Sequence, residues 1–240
     1  MTDDKPPTEA ERRALAALEA AARPAAYAQI GGFRPDPSDR LASWWGGNFA
    51  GLPGVAAPTN RATGALLSPL VQIRLDTAPV RPPCLEDTAL LSFWIDWAAF
   101  TSDNPQQGVH FDVLRSPTLD NLEPLGPGYR ERHALPCLPI RWRESGLEAP
   151  HWSDFPTPIP PDAGWFFDHE LRKGWAERRD GRPLKLGGWP DWIQDSTWPH
   201  GAHFVLQIDS TEKGRLLLGD NGSIYLFRHG ETWIARGDCF

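Results

Sequence analysis

The sequence is poor in cysteine and has no long apolar run. Its 240 residues include three cysteines, Cys84, Cys137 and Cys239, which lie far apart and outside any C-x-x-C pattern. This spacing is typical of free thiols rather than of a disulfide framework or a zinc knuckle. No stretch of 18 or more apolar residues could span a membrane, and residues 1–7 lack the basic and apolar regions of a secretory signal. We therefore expect a cytoplasmic protein with no membrane partner.

Basic residues are also in the minority. The chain has 24 Lys and Arg against 31 Asp and Glu, a formal net charge of -7. A nucleic-acid partner is not expected, because such proteins neutralise phosphates with clustered basic side chains.

Aromatic residues, in contrast, are abundant, with 12 Trp and 11 Phe. Since disordered chains are poor in aromatics, the composition indicates a folded protein, and we expect residues 1–240 to form one domain.

The first part of the chain predicts a helix followed by strands. Thr8-Glu9-Ala10-Glu11 is a capping box, so a helix is expected within residues 1–30, ending before Pro24. Residues 31–64 are rich in Gly, Pro, Asn and Ser and predict an irregular loop. Apolar runs at 67–75, 90–97 and 109–114 predict antiparallel strands of a first β repeat over residues 40–115.

The second part of the chain predicts a connector, a helix and a second β repeat. Residues 116–161 are a proline-rich connector, and a helix over 162–179 would place Trp165, His169 and Arg172 on one face. Together with this helix, the second repeat occupies residues 162–240. Its strands are expected at 203–209, 214–218, 223–227 and 232–235, with Asn221-Gly222 in a tight turn.

A repeated order of motifs predicts an internal duplication. Gly46-Gly47 precedes a strand containing Gln72, and Gly187-Gly188 precedes a strand containing Gln207. A Gln inside an apolar strand needs hydrogen-bond partners, and the neighbouring Gly-Gly loop is the simplest source. The predicted fold class is α+β, with two pseudo-repeated antiparallel β-sheets packed around a shared core, an N-terminal helix and a helix before the second repeat.

The best-defined motifs resemble those of a known family. Lys185-Leu186-Gly187-Gly188-Trp189-Pro190, then Trp198-Pro199, residues 204–209 and residues 220–227 resemble the K-x-G-G-x-P, W-P, F-L-x-Q-I and G-x-L-x-F-F motifs of the YwqG-like proteins. This bacterial group has no assigned biochemical function. The resemblance is good over residues ~183–235 and weak over ~40–97, where Gly46-Gly47-Asn48 lacks the proline. It implies a cytoplasmic α+β protein with duplicated sheets, and it suggests an immunity role because some relatives are thought to sit near secreted toxins.

One segment resembles a catalytic motif of histidine phosphatases. Leu226-Phe227-Arg228-His229-Gly230-Glu231-Thr232 matches the pattern in which His accepts the phosphoryl group and Arg holds the phosphate. That motif normally opens a long α/β domain, whereas here only ten residues follow Gly230. The alternative, a hairpin turn at His229-Gly230, is favoured.

The remaining polar groups give no catalytic, cofactor or metal assignment. His200 and His203, with Asp191 and Asp195 nearby, form only a weak metal pattern because Pro199 and Gly201 favour a loop. Strand alternation would place His110 and Asp112 on one face, which is more typical of a solvated sheet face than of an acid–base pair. Asp168, His169 and Glu170 are consecutive on the predicted helix and cannot converge. The Gly-Gly pairs fit neither phosphate-loop pattern and favour tight backbone turns.

The tryptophans are the strongest functional feature of the sequence. Trp94 and Trp233 fall on predicted strands, whereas several others fall in Gly- and Pro-rich loops. Exposed Trp is favoured in protein interfaces, and an acidic surface suits a basic partner. The alternative is that these indoles cover the two sheets, because Trp is usually mostly buried. The predicted partner-binding residues are Trp44, Trp45, Trp189, Asp191, Trp192, Asp195 and Trp198.

These features favour a non-enzymatic protein-binding module, most plausibly a cytoplasmic immunity protein that occludes a secreted toxin. The partner would be a basic protein that acts in the cytoplasm, such as a nuclease. One alternative is a protein that binds a sugar-like ligand in a Trp-lined groove between the repeats. The other is a hydrolase that uses His110 and Asp112, or His229.

Overall fold

The structure is a computed structural model that describes residues 8–34, 41–47, 49–97, 100, 105–125, 135–155 and 182–239. The only α-helix in these ranges is α1, Glu9–Ala21. The predicted capping box is confirmed: the Glu11 amide donates to Thr8 Oγ1 at 3.2 Å, and the Thr8 amide donates to Glu11 Oε2 at 2.5 Å. The predicted helix over 162–179 lies outside the described residues.

β-strands are the main regular structure of the described chain. The strands are β1 Arg23–Ile30, β2 Trp44–Trp45, β3 Ala50–Gly51, β4 Ser68–Arg74, β5 Leu90–Ile95, β6 Phe111–Ser116, β7 Glu123–Pro124, β8 Leu138–Glu148, β9 Leu184–Gly187, β10 His203–Asp209, β11 Ser223–His229 and β12 Thr232–Asp238. Short 3-10 turns occupy Pro83–Leu85 and Trp152–Asp154. Ten strands form one antiparallel sheet in the order β12-β11-β10-β9-β1-β8-β2-β4-β5-β6, and β3 pairs with β7.

The predicted fold class of α+β with two separate sheets is therefore wrong. The protein is mostly β, and one sheet runs through both predicted repeats. The two halves are joined because β1 and β8, the longest strands, pair with each other at its centre. Sequence analysis missed both strands: β1 follows the helix within residues 1–30, and β8 crosses the proline-rich connector. Pro139 is tolerated in β8 because its carbonyl, and therefore its missing N–H, faces the side of β1, which ends at Ile30.

The two edge strands of the sheet approach each other, so the sheet is nearly closed. Arg115 on β6 forms an ion pair with Glu231, in the turn before β12. The Trp233 amide donates to Gln107 Oε1 at 3.1 Å. The inner face holds the main hydrophobic core, which draws on both halves.

Most of the predicted strands agree with the structure, with one exception in each half. The runs at 67–75, 90–97, 203–209, 223–227 and 232–235 contain β4, β5, β10, β11 and β12, and the run at 109–114 becomes a strand only from Phe111. Residues 214–218 form no strand and make a single bridge, Thr211 to Leu216. This segment crosses to the other half, where the Trp45 indole donates to the Gly214 carbonyl at 3.0 Å. β2 and β3 lie within the predicted loop over 31–64.

The pairing registers of the two halves match position for position. At the centre of the sheet, Gln29 of β1 pairs with Arg141 of β8. On either side of this pair, Ile30 pairs with Ile140 and Ala28 pairs with Trp142, so a two-fold rotation about the central pair exchanges β1 and β8. Bulges also recur, between residues 69 and 71 of β4 and between residues 204 and 206 of β10. The strands of each half therefore pair in the same register on their side of the β1–β8 pair.

The structural role predicted for the two glutamines is confirmed. Gln72 Oε1 accepts from the Ala50 amide at 2.7 Å, and Gln207 Oε1 accepts from the Asp191 amide at 2.9 Å. The Gly-Gly pairs turn the chain as predicted: Gly187 and Gly188 adopt φ of 71° and 73°, in the region that favours glycine. None of the helices in the described ranges is long and apolar enough to cross a membrane.

Candidate functional site: the tryptophan loop

Residues 188–202, which we term the tryptophan loop, connect β9 to β10. The loop packs on the outer face of β10 and β11, where Phe204, Tyr225 and Phe227 are buried beneath it. The loop begins with a turn, because Gly187 and Gly188 both adopt positive φ at the end of β9. The hydrogen bond that the Asp191 amide donates to Gln207 Oε1 then holds the loop against β10.

A buried lysine anchors the start of the tryptophan loop. The Lys185 side chain is only 3% exposed, and its Nζ donates to Glu148 Oε1 at 3.1 Å and to Asp191 Oδ2 at 2.7 Å. The same Nζ also donates to the Trp189 carbonyl. A buried ammonium requires such compensation, because removal of an unpaired charge from water is very costly. The network therefore fixes the loop to β9.

Glu148 ties three strands to this loop. Its Oε1 also accepts from the Tyr27 hydroxyl on β1, and its Oε2 accepts from the Trp189 amide at 2.9 Å. A Cβ on Gly188 would lie 2.0 Å from Glu148 Oε2, so the carboxylate occupies the space that only glycine leaves. Lys185, Glu148 and Tyr27 thus form a polar support beneath the tryptophan loop.

Trp192 and Trp198, further along the tryptophan loop, are half-buried. The Trp192 ring lies 4.6 Å from Tyr225 and is nearly parallel to Phe227 at 6.0 Å, while Trp198 meets Phe227 edge-on at 5.3 Å. Both indole N–H groups are satisfied: Trp192 Nε1 donates to Asp154 Oδ2 at 2.6 Å, and Trp198 Nε1 donates to the Ala202 carbonyl at 3.1 Å. The two rings are therefore held in fixed orientations with part of their surface exposed.

Charged side chains surround these rings. The Arg23 guanidinium lies 3.6 Å from the centre of the Trp189 ring and 5.5 Å from that of Trp198, and burial lowers its pKa. The Asp191 side chain is 32% exposed and pairs with Lys185, whereas Asp195 is exposed. The surface therefore combines two fixed indoles with charges of both signs, the Arg23 guanidinium and the exposed Asp195 carboxylate.

The structure brings together only part of the predicted partner-binding set. Trp192, Trp198, Asp191 and Asp195 all lie on the tryptophan loop. Trp189 belongs to the same loop but is 5% exposed, because it packs against α1, where its Nε1 donates to the Ala21 carbonyl at 3.0 Å.

Trp44 and Trp45 lie elsewhere. They form β2, which β1 and β8 separate from β9 in the sheet. Trp45 is 0% exposed, and Trp44 packs on the cluster of Phe49, Leu67, Trp94 and Leu125. The prediction that this pair occupies a loop is wrong, because both residues take part in strand pairing with β4 and β8.

Three residues of the phosphatase-like segment, Arg228, Gly230 and Glu231, line a separate cleft of about 360 Å³, whereas His229 is absent from its lining. The hairpin turn predicted at His229-Gly230 is present: His229 ends β11, and Gly230 and Glu231 connect it to β12. The Arg228 side chain is 8% exposed, and its N–H groups bond the Gly230 and Cys84 carbonyls and the carboxylates of Asp87 and Glu231. The Arg228 guanidinium is therefore bound by groups of the protein itself.

Two other features of this cleft bear on its chemistry. Burial raises the pKa of the Cys84 thiol, which disfavours a reactive thiolate. The Arg115 guanidinium holds the pKa of Asp87 well below its usual range, with Arg228 adding to the effect. Asp87, Arg115, Arg228 and Glu231 form an ion-pair network at the seam between β6 and β12.

The weaker candidate pairs are held by local contacts. His110 precedes β6, so the predicted alternation with Asp112 does not apply; its Nδ1 accepts from the Gln106 amide at 2.9 Å. Asp112 accepts from Gln107 Nε2 at 3.1 Å. His200 and His203 belong to no group of three or more ligands that could hold a metal within the described ranges. Asp168, His169 and Glu170 lie outside those ranges.

Sequence reasoning missed the residue that organises the site. Lys185 is part of the K-x-G-G-x-P motif, but its partner Glu148 ends a strand that sequence analysis did not predict.

No family model matches the chain, and no curated protein matches it. Functional inference therefore depends on the residues themselves.

Proposed function

We propose that the chain is a non-enzymatic protein-binding module whose contact surface is the tryptophan loop. The observation that carries this proposal is the fixed, half-buried state of Trp192 and Trp198. Aromatic side chains that are already ordered lose little conformational entropy on binding, and Trp is enriched among residues that dominate interface energetics. That order comes from the ring contacts with Tyr225 and Phe227 and from the hydrogen bonds of both indole N–H groups.

The net charge of the chain favours a basic partner. That charge is -7, and Asp195 is exposed on the tryptophan loop, where the Arg23 guanidinium also lies beside the Trp189 and Trp198 rings. Complementary charge speeds association and excludes partners of the same sign. We infer that the partner is a basic toxin acting in the cytoplasm, such as a nuclease, and that the chain is a cytoplasmic immunity protein. The YwqG-like resemblance, itself a proposal, supports this role.

The test uses proteins encoded beside this gene as candidate partners. Each is purified as an inactive variant, and its affinity for the full chain is measured by calorimetry; co-expression with the active form measures protection of growth. Asp195→Arg should weaken binding by about tenfold, because it places like charge against a basic surface. Asp120→Arg, at an exposed position in the other half, is the matched control and should change affinity less than twofold.

Two results would contradict the proposal. If none of these proteins binds, the inferred partner is wrong. If both Arg variants weaken binding equally, the tryptophan loop is not the contact surface.

A further inference from the structure

Two side-chain nitrogens converge on Gly32, just beyond the end of β1. The Lys213 side chain reaches this point from the segment between β10 and β11, and its Nζ lies 3.6 Å from the position that a Cβ on Gly32 would take. The Gln29 side chain reaches it from β1, and its Nε2 lies 3.8 Å from the same position. We term the open space beside Gly32, between these two nitrogens, the glycine notch.

The glycine notch presents hydrogen-bond donors and no acceptor. Gln29 Oε1 accepts from Arg143 Nε at 2.8 Å, so the N–H groups of the Gln29 amide are the end that faces the notch. Neither Gln29 Nε2 nor Lys213 Nζ donates to an acceptor in the part of the chain that the structure describes. Gln29 is half-buried, whereas Gly32 and Lys213 are exposed, so a molecule from solvent can reach both donors.

Positive charge is concentrated around the glycine notch. Arg141 of β8 pairs with Gln29 in the sheet, and its guanidinium lies 4.0 Å from the centre of the Phe33 ring. Arg141, Arg143 and Lys213 are all exposed, and none of them forms an ion pair within the described ranges. Three unpaired cations beside a donor-lined notch attract an anion, although the whole chain has a net charge of -7.

We propose that the glycine notch binds a phosphate group, and that Lys213 Nζ and Gln29 Nε2 donate to its oxygens beside Gly32. A phosphate suits the site better than a carboxylate, because it carries more negative charge and more acceptor oxygens for three cations. The group is either inorganic phosphate or the phosphate of a small ester, and the test separates the two. The glycine notch shares no residue with the tryptophan loop, so this proposal does not depend on the proposed function.

The test is an NMR titration of the ¹⁵N-labelled full chain with inorganic phosphate at constant ionic strength. The Gly32 backbone amide and the Gln29 side-chain amide should shift in a saturable manner, whereas sodium chloride at the same ionic strength should move neither. Phenyl phosphate should shift the same signals. A higher affinity for phenyl phosphate than for inorganic phosphate would support the site as one for phosphate esters, and a lower affinity would support it as one for free phosphate.

A pair of glycine variants tests the location of the bound group. Gly32→Ala places a Cβ in the glycine notch without a clash in the protein, so phosphate binding should weaken at least tenfold. Gly54→Ala is the matched control, because Gly54 has φ of +77° against +81° for Gly32 and nothing within 4 Å of its would-be Cβ. The two variants should be equally stable in urea, but Gly54→Ala should leave the affinity within twofold.

A pair of charge variants tests the role of Lys213. Lys213→Gln should weaken phosphate binding by about tenfold, because it removes the charge that lies at the notch. Arg81→Gln removes the same charge from another exposed position, next to Val80, which lies beside Gly187 towards the other end of β1, and should leave the affinity within twofold. Absence of saturable shifts within the solubility of sodium phosphate, unchanged binding in Gly32→Ala, or equal weakening by the two charge variants would overturn the proposal.

Discussion

Gly188→Ala tests whether the polar support determines the position of the tryptophan loop. The added Cβ would lie 2.0 Å from Glu148 Oε2 and 2.7 Å from Ala25 Cβ, far inside contact distance. The Glu148 carboxylate must then move, and it loses its bonds to the Trp189 amide and to Lys185 Nζ. Since the Lys185 side chain is only 3% exposed, its charge stays buried with fewer partners.

The expected magnitude is that of a broken buried ion pair, about 3–5 kcal/mol. Two further effects accompany any Gly→Ala change at positive φ: strain of about 1–2 kcal/mol in the folded state, and a gain of about 0.4–1 kcal/mol from a less flexible unfolded chain. Gly54→Ala isolates these effects, because Gly54 has φ of +77° and nothing within 4 Å of its would-be Cβ. The difference between the two variants therefore reports the Glu148 contacts together with the clash against Ala25 Cβ.

Urea unfolding followed by tryptophan fluorescence measures both free energies of unfolding. We expect Gly188→Ala to be less stable than Gly54→Ala by about 3–5 kcal/mol, with a similar dependence on urea. The Trp189 and Trp198 indole NMR signals should shift in Gly188→Ala alone, because the loop loses its anchor. A difference below about 1 kcal/mol would refute the reasoning, since it would mean that the polar support contributes no more than an exposed ion pair.

Three further predictions concern the glutamines, the seam and the thiols. Gln72→Leu and Gln207→Leu should each lower the free energy of unfolding by about 1–3 kcal/mol in urea melts, because each leaves a backbone amide without its acceptor. Arg115 holds the pKa of Asp87 below its usual range, so Asp87 stabilises the fold above pH about 4 and this contribution is lost as the pH falls further. Asp87→Asn should therefore be destabilising by at most about 1 kcal/mol at pH 7, and the difference from the parent should shrink below pH about 4. Cys84, whose pKa burial raises, should react with iodoacetamide at pH 8 several-fold faster in urea than in the native state, as followed by mass spectrometry.

The elements that could be predicted are those whose determinants lie close together in the sequence. The capping box of α1 involves residues three apart, and the β11–β12 turn at His229-Gly230 links adjacent strands. β1 and β8 could not be predicted in this way, because each pairs with the other across more than a hundred residues. The alanines of β1 and the prolines near β8 are weak strand formers, so tertiary pairing rather than local preference decides their structure.

The same reasoning explains how much of the candidate site could be predicted. Trp192, Trp198 and Asp195 were identified from composition and loop context, which depend on local sequence. Glu148 could not be linked to Lys185, because their contact depends on the position of β8 beside β1 and of β1 beside β9. Burial of Trp189 was missed for the same reason, since the helix that covers it lies at the other end of the chain.

The matched registers allow the two halves to be compared residue by residue. Gln72 and Gln207 occupy corresponding positions, as an internal duplication predicts, and the residue paired with Gln207 is Lys185 whereas the residue paired with Gln72 is Trp44. The amide bonded by each glutamine belongs to Asp191 in one half and to Ala50 in the other. At both places the first half has an apolar residue where the second has a charged one.

That difference has a structural consequence for the outer faces. In the first half, Phe49 follows the Gly-Gly turn and packs edge-on against Trp94 at 5.2 Å, and both are buried. In the second half, the lysine network holds the chain so that Trp192 and Trp198 stay partly exposed above Phe227. One backbone plan thus carries an apolar cluster with a half-buried Trp44 on one outer face, and half-buried Trp192 and Trp198 beside a buried lysine network on the other. A buried ion network adds little to net stability compared with apolar packing, so we explain its presence under the tryptophan loop by the order it imposes there.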